Sequence, residues 1–128
     1  MADVISSQAD LTGYSLIVVP YLAIASPDFC KRLEEAARQG ATILLTCING
    51  VRDIHLHKTD ALITTPLQQL AGIEVKGQEA LFGRKSNTLT YGNQTGQCQF
   101  WFDQIEVKTA FPTASFSGNY FKGYPAIT

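Results

Sequence analysis

Leu16-Ile17-Val18-Val19-Pro20-Tyr21-Leu22, reached through Asp10-Leu11-Thr12-Gly13-Tyr14, is the stretch on which the fold turns. Four consecutive apolar residues rich in β-branched side chains cannot alternate between core and water. They suit a strand buried on both faces, the habit of a parallel sheet covered by helices. Ser26-Pro27-Asp28 then reads as N-cap, first helical residue and dipole-complementing acid. Phe29, Cys30, Leu33, Ala36 and Ala37 make an apolar stripe at helical spacing, and Gly40 supplies the stop. A second apolar run, Ile43-Leu44-Leu45, follows at once. Strand, helix and strand in this order predict a right-handed βαβ unit.

Further along, Asn49 to Thr64 mixes Gly50, Arg52, Asp53, His55, His57, Lys58 and Asp60 without a clean period and reads as a long loop. Thr65-Pro66-Leu67-Gln68 fits a capping box with proline at the first helical position. Leu67, Leu70 and Ala71 face inward on a short helix that Gly72 ends, and Ile73-Glu74-Val75 reads as a strand. After Gln78 the pattern changes. Thr88–Tyr91 and Cys98–Phe102 flank Gly92–Gly96, which predicts a β-hairpin with a five-residue loop. In its second arm Cys98, Phe100 and Phe102 point one way while Gln97, Gln99 and Trp101 point the other. Asp3-Val4-Ile5 reads as the end of a first strand.

The 128 residues are expected to form a single domain, 1–128. Ten basic and eleven acidic side chains leave a net charge of −1 with no basic cluster, so neither nucleic acid nor an anionic membrane is expected as a partner. No apolar run approaches the ~20 residues of a membrane span. Three cysteines, Cys30, Cys47 and Cys98, cannot all pair, and they read as reduced core thiols of a cytoplasmic protein.

Several of these pieces carry a family resemblance: Asp10-Leu11-x-Gly13-Tyr14-x-Leu16-Ile17-Val18-Val19-Pro20-Tyr21-Leu22, Gly40–Thr46, Gly50-Val51-x-Asp53, Pro66-Leu67-x-x-Leu70-x-Gly72-Ile73-x-Val75, Trp101-x-Asp103-x-Ile105 and Gly123–Thr128. In this order and spacing they resemble the middle domain of glycoside hydrolase family 42 β-galactosidases, over nearly the whole chain. The resemblance implies an α/β, flavodoxin-like fold of the class I glutamine-amidotransferase type: a mostly parallel sheet between helices, with the hairpin as an antiparallel extension. It implies that the family's first βα unit and last strand lie outside this sequence. It also implies a non-catalytic, trimerising role in a homo-oligomer, beside a separate (β/α)₈ barrel that hydrolyses terminal β-D-galactosides with retention. No cofactor is expected.

Candidate residues follow from both readings. Cys47 stands at the turn after a buried run, where amidotransferase-like folds place a nucleophile, so a small cysteine-dependent hydrolase is one alternative. Against it, the glycine expected two residues later is Asn49, and the histidines lie nearby in a loop rather than on a distant strand. His55-x-His57, with Asp53 and Asp60 close by, has two possible ligands on one side but nothing to fix a third and fourth, so no metal site is expected. Asp53 is expected to accept backbone N–H groups within its loop or to brace that loop against a neighbouring subunit. Trp101 is placed either at a subunit or sugar contact or under a helix of its own domain; with Tyr91 it would serve a stand-alone carbohydrate-binding module. Glu34, Glu35, Glu74, Glu79 and Glu106 sit on solvated faces or strand ends, and none has the apolar pocket a glycosidase acid requires.

Overall fold

The computed structural model describes residues 2–83, 85–118 and 121–128. They divide into two compact units, one up to Thr59 and one from Asp60 onward.

The first unit holds the strand–helix–strand segment. Strand β1 (Leu16–Val19) and strand β2 (Thr42–Leu45) run parallel in the register Leu16↔Thr42 to Val19↔Leu45, joined through helix α1 (Pro27–Arg38). The helix starts as its sequence dictates. The Ser26 hydroxyl accepts the Phe29 N–H at 3.2 Å and Asp28 sits in the first turn. Such a cap contributes about 1 kcal/mol. Phe29, Cys30, Leu33 and Ala36 form its buried stripe, and beyond the last turn Gly40 takes φ +100°, a conformation glycine adopts without a Cβ penalty. Asp3-Val4-Ile5 forms no strand, and Val4 is fully exposed. The segment after it is held to α1 by Arg32, whose guanidinium donates to the carbonyls of Ser7 and Ala9.

The second unit is antiparallel. Helix α2 (Thr65–Ala71) leads through Gly72 into strand β3 (Ile73–Ala80), which pairs with strand β6 (Trp101–Val107) from Ile73↔Val107 to Ala80↔Trp101, with an irregularity between Val75 and Gly77. A four-stranded sheet runs in the order β5-β4-β7-β8, built from β4 (Ser86–Tyr91), β5 (Gln94–Gln99), β7 (Ala114–Phe116) and β8 (Pro125–Ile127). Its core gathers Phe102 against Phe116 and Phe121, with ring centroids 5.2 and 4.6 Å apart, the second pair edge to face.

The fold is therefore β-rich, and the expected flavodoxin-like, amidotransferase-like parallel α/β sheet is not found. Among the described residues the one parallel ladder is β1–β2, and every other ladder is antiparallel. Nor is the apolar run of β1 covered on both faces: Leu16, Val18 and Leu44 are 54, 49 and 49% exposed, while Val19 is buried on the other side. The β-branched run reported strand propensity correctly but not the number of strands or of covered faces.

Three local expectations are also corrected. The helix α2 is capped by Thr64, whose side chain makes no capping bond. Gln68 does not reach back to its own helix start. Buried, it donates to the Ile63 carbonyl at 2.8 Å and accepts the Val75 N–H at 2.6 Å, tying helix to strand. The hairpin forms, but Tyr91 pairs with Gln94, so its turn is the two residues Gly92-Asn93. The alternation of its second arm breaks at Phe100, which takes φ +72° and ends one strand before the next begins.

Candidate functional site

Asp53 organises the long loop of the first unit. Its Oδ1 accepts the backbone N–H of His55 at 2.8 Å and of His57 at 2.9 Å, its own N–H donates to the His57 carbonyl, and its carbonyl accepts from Leu56. Arg52 closes the same turn, donating through Nη1 to the Leu56 carbonyl at 3.1 Å, and Arg52 pairs with Lys58 in an antiparallel bridge. Partial desolvation would raise the Asp53 carboxyl. The His57 and His55 amides and their imidazoles outweigh it and hold the group below its ordinary value. His57 Nδ1 lies 3.6 Å from Asp53 Oδ2, and the two imidazole centroids are 6.1 Å apart. Among the described residues no group of three or more His, Cys, Asp or Glu side chains could hold a metal ion.

Cys47 lies past β2, half-buried. The left-handed residue at this turn is Ile48 (φ +61°), not the cysteine, whereas a nucleophile elbow strains the nucleophile itself. The position where the elbow's glycine is expected belongs to Asn49. Its carboxamide is buried and accepts the Leu22 N–H at 2.6 Å while donating to the carbonyls of Val19 at 3.0 Å and Thr46 at 2.6 Å. Asn49 thus clamps the ends of β1 and β2 together. The signal for it was a polar residue just beyond an apolar run.

In the second unit Trp101 and Asp103 share one face of β6. Asp103 is buried and accepts from Gln78 Nε2 at 3.0 Å across the ladder. Burial pushes its carboxyl above the ordinary range, and the hydrogen bond from Gln78 pulls it partly back. The buried indole N–H of Trp101 meets no acceptor in hydrogen-bond geometry. The Cys98 thiol, whose Sγ lies 3.5 Å from the Trp101 carbonyl oxygen, is raised by burial and by the Asp103 charge. The Trp101-x-Asp103 spacing was visible in sequence. That Asp103 is buried was not, because the strand it belongs to begins after the Phe100 break.

Glu34, Glu74 and Glu106 are arranged for ion pairing. Glu74 and Glu106 face each other across β3 and β6, and Lys76 and Lys108 bridge them in a four-membered ring with N···O distances of 2.5 to 3.4 Å. Hydrogen bonds from the two lysines lower both carboxyls. A glycosidase acid needs the opposite shift. Glu34 pairs with Arg38, and Glu35 accepts from Gln39, along one exposed helix face. A shallow groove of about 560 Å³ lies beside this sheet, lined by Lys76, Lys122, Tyr124 and Pro125 among others, with Glu106 the one carboxylate among the described residues that line it. No helix among the described residues is long and apolar enough to cross a membrane.

The family model of the β-galactosidase trimerisation domain matches residues 1–128. β-Galactosidase GanA of Bacillus subtilis (strain 168) is 29% identical over 126 residues, and β-galactosidase Pbg of Clostridium perfringens is 28% identical over 133. Each match takes in 98% of this chain but 19% of the relative's length. Among solved structures, the β-galactosidase of the Antarctic haloarchaeon Halorubrum lacusprofundi superimposes with a TM-score of 0.88 at 26% identity, covering 97% of this chain and 19% of that one. The β-galactosidase from Bacillus circulans sp. alkalophilus gives 0.86 at 26% identity over 94% of this chain and 19% of that one. With residues 1–128 all matched by one family model, the chain belongs to the β-galactosidase trimerisation domain family.

Proposed function

We propose that these residues act as the non-catalytic assembly domain of a larger cytoplasmic β-galactosidase, holding three copies in a ring and bracing a catalytic barrel that lies outside them. That barrel would hydrolyse terminal β-D-galactosides with retention. The observation that carries the reading is the match of the trimerisation-domain family model to residues 1–128. The chemistry agrees with it: Glu74 and Glu106 face each other across a ladder, and hydrogen bonds from Lys76 and Lys108 lower both carboxyls, the opposite of the shift a glycosidase acid needs. Asp53 is the first candidate for a subunit contact, through the loop it shapes. Trp101 is the second, through the part of its indole that is not buried in its own unit.

Sedimentation equilibrium of the 128-residue chain, over about a hundredfold range of concentration, tests the assembly role. The expected outcome is a shift from one chain mass towards three. A single monomeric mass throughout would reject it. In the same preparation a chromogenic β-galactoside should not turn over; activity lost on replacing one glutamate of this chain would refute the non-catalytic assignment.

A further inference from the structure

We propose that Asn49-Gly50 is a self-modifying site that the fold keeps inert. Once the ends of β1 and β2 part, the pair deamidates, and the acid formed cannot close the clamp again.

An asparagine side chain is most open to attack by its own backbone when glycine follows, because glycine puts no Cβ beside the attacking nitrogen. The sequence holds one such pair; Asn87, Asn93 and Asn119 are followed by Thr, Gln and Tyr. In the reaction the Gly50 nitrogen gives its proton to hydroxide and bonds to Asn49 Cγ. The Cγ–Nδ2 bond breaks, ammonia leaves, and a cyclic succinimide remains. Water then adds across one of the two imide C–N bonds, so the net change is water consumed and ammonia released. Opening at Cγ gives aspartate. Opening at the main-chain carbonyl gives isoaspartate, whose backbone runs through the former side chain.

The fold explains why so reactive a pair stands here. Gly50 takes φ +65°, where any residue with a Cβ is penalised. Asn49 must both accept and donate: Oδ1 takes the Leu22 N–H, and Nδ2 gives its protons to the Val19 and Thr46 carbonyls. Each residue is set by its own structural duty, and their adjacency creates the hazard.

The same contacts withhold the reaction. The Gly50 N–H is tied to the Leu22 carbonyl at 2.8 Å, and three hydrogen bonds fix the Asn49 carboxamide. Both residues are buried, away from hydroxide and water. Cγ reaches the nitrogen only when these bonds break, so the rate follows the fraction of chains open at this point. Every partner lies within residues 19–50, and the site requires no free surface.

The loss runs one way. Aspartate at position 49 still accepts from Leu22 but turns a charged oxygen, in place of N–H donors, towards two buried carbonyls. Isoaspartate lengthens the main chain by a carbon and moves the Gly50 N–H off the Leu22 carbonyl. Chains modified while open are thereby removed from the folded pool.

The test holds the 128-residue chain at mildly alkaline pH, in native buffer and in urea, and follows Asn49 by peptide mass analysis. In urea it should deamidate ahead of Asn87 and Asn93, with isoaspartate among the products, and Gly50→Ala should slow it several-fold. In native buffer the rate at Asn49 should be at least about tenfold lower than in urea. Equal rates in the two solvents, or a urea rate indifferent to Gly50→Ala, overturn the proposal. Asn49→Asp tests the irreversibility: it should melt below the parent chain at neutral pH. In acid its carboxyl regains a proton to donate, and the gap should narrow. A variant that melts as high as the parent at neutral pH overturns the one-way loss.

Discussion

Asp103 carries a cost that the surface carboxylates do not. Burial raises its carboxyl, so the folded chain holds that proton to higher pH than the unfolded chain, whose Asp titrates near 3.8. Below that value both states are protonated and the group is neutral to stability. As pH rises from there through the raised folded value, the unfolded state releases its proton first and stability falls. Asp103→Asn keeps an acceptor for Gln78 and removes the charge. The variant should therefore melt higher than the parent at neutral pH, with the difference shrinking in acid; equal melting temperatures across the range would show that Gln78 already compensates the burial. Asp53, Glu74 and Glu106 are lowered and run the other way, losing their contribution as pH falls. Residue chemistry was partly legible in the sequence. An aspartate among Gly, Arg and His in a loop is a natural acceptor for its own backbone, as Asp53 is. An aspartate two residues beyond a tryptophan gave no sign of being buried within a β ladder.

At the scale of elements, the join between α2 and β3 depends on one residue. Gly72 has φ +68°, and its carbonyl accepts the N–H groups of Lys108, Thr109 and Ala110. A Cβ there would stand 2.5 Å from Thr109 Oγ1 and 2.9 Å from the Ala110 nitrogen. Gly72→Ala thus meets both a backbone penalty and a collision with main chain, and should cost more than about 1 kcal/mol in urea unfolding. A loss within a few tenths would mean that the segment after β6 gives way easily. Sequence signals located α1 and Gly72 because caps and stops are local chemistry, read from Ser26, Pro27, Asp28 and a glycine in place. They also found the parallel β1–β2 pair and the hairpin, but not the strand limits that pairing with more distant segments decides. Phe100 sits in an apparently unbroken alternation, yet its left-handed backbone divides one predicted arm into β5 and β6, which pair with different partners. Nothing in the side-chain pattern of Cys98–Phe102 encodes that break.

For the molecule as a whole, membership of the family was readable while the architecture was not. Ordered motifs such as Asp10-Leu11-x-Gly13-Tyr14 are read one chain segment at a time, so a family resemblance can be seen in them without knowing which strands pair. The arrangement of sheets depends on which distant segments pair, and Ile73 with Val107 or Leu89 with Phe116 are pairings no local window contains. The apolar runs of β1 and β2 argued for burial on both faces, but a two-stranded ladder leaves one face uncovered unless something else supplies the cover.

The nesting of these strands also sets an order of events in time. The β4–β5 hairpin lies between β3 and β6 along the chain, and its turn is only Gly92-Asn93. Closing it is a local step on the microsecond scale, of about 1–10 μs. Once closed, it brings Ser86 beside Gln99, so that Ala80 and Trp101 need to span far less free chain to meet. The hairpin acts as a clasp fastened first, and the β3–β6 ladder zips outward from it towards Ile73 and Val107. Loosening the clasp with Gly92→Val should slow the refolding limb of a stopped-flow chevron more than it speeds the unfolding limb. The reverse partition would mean that the outer ladder forms before the turn inside it.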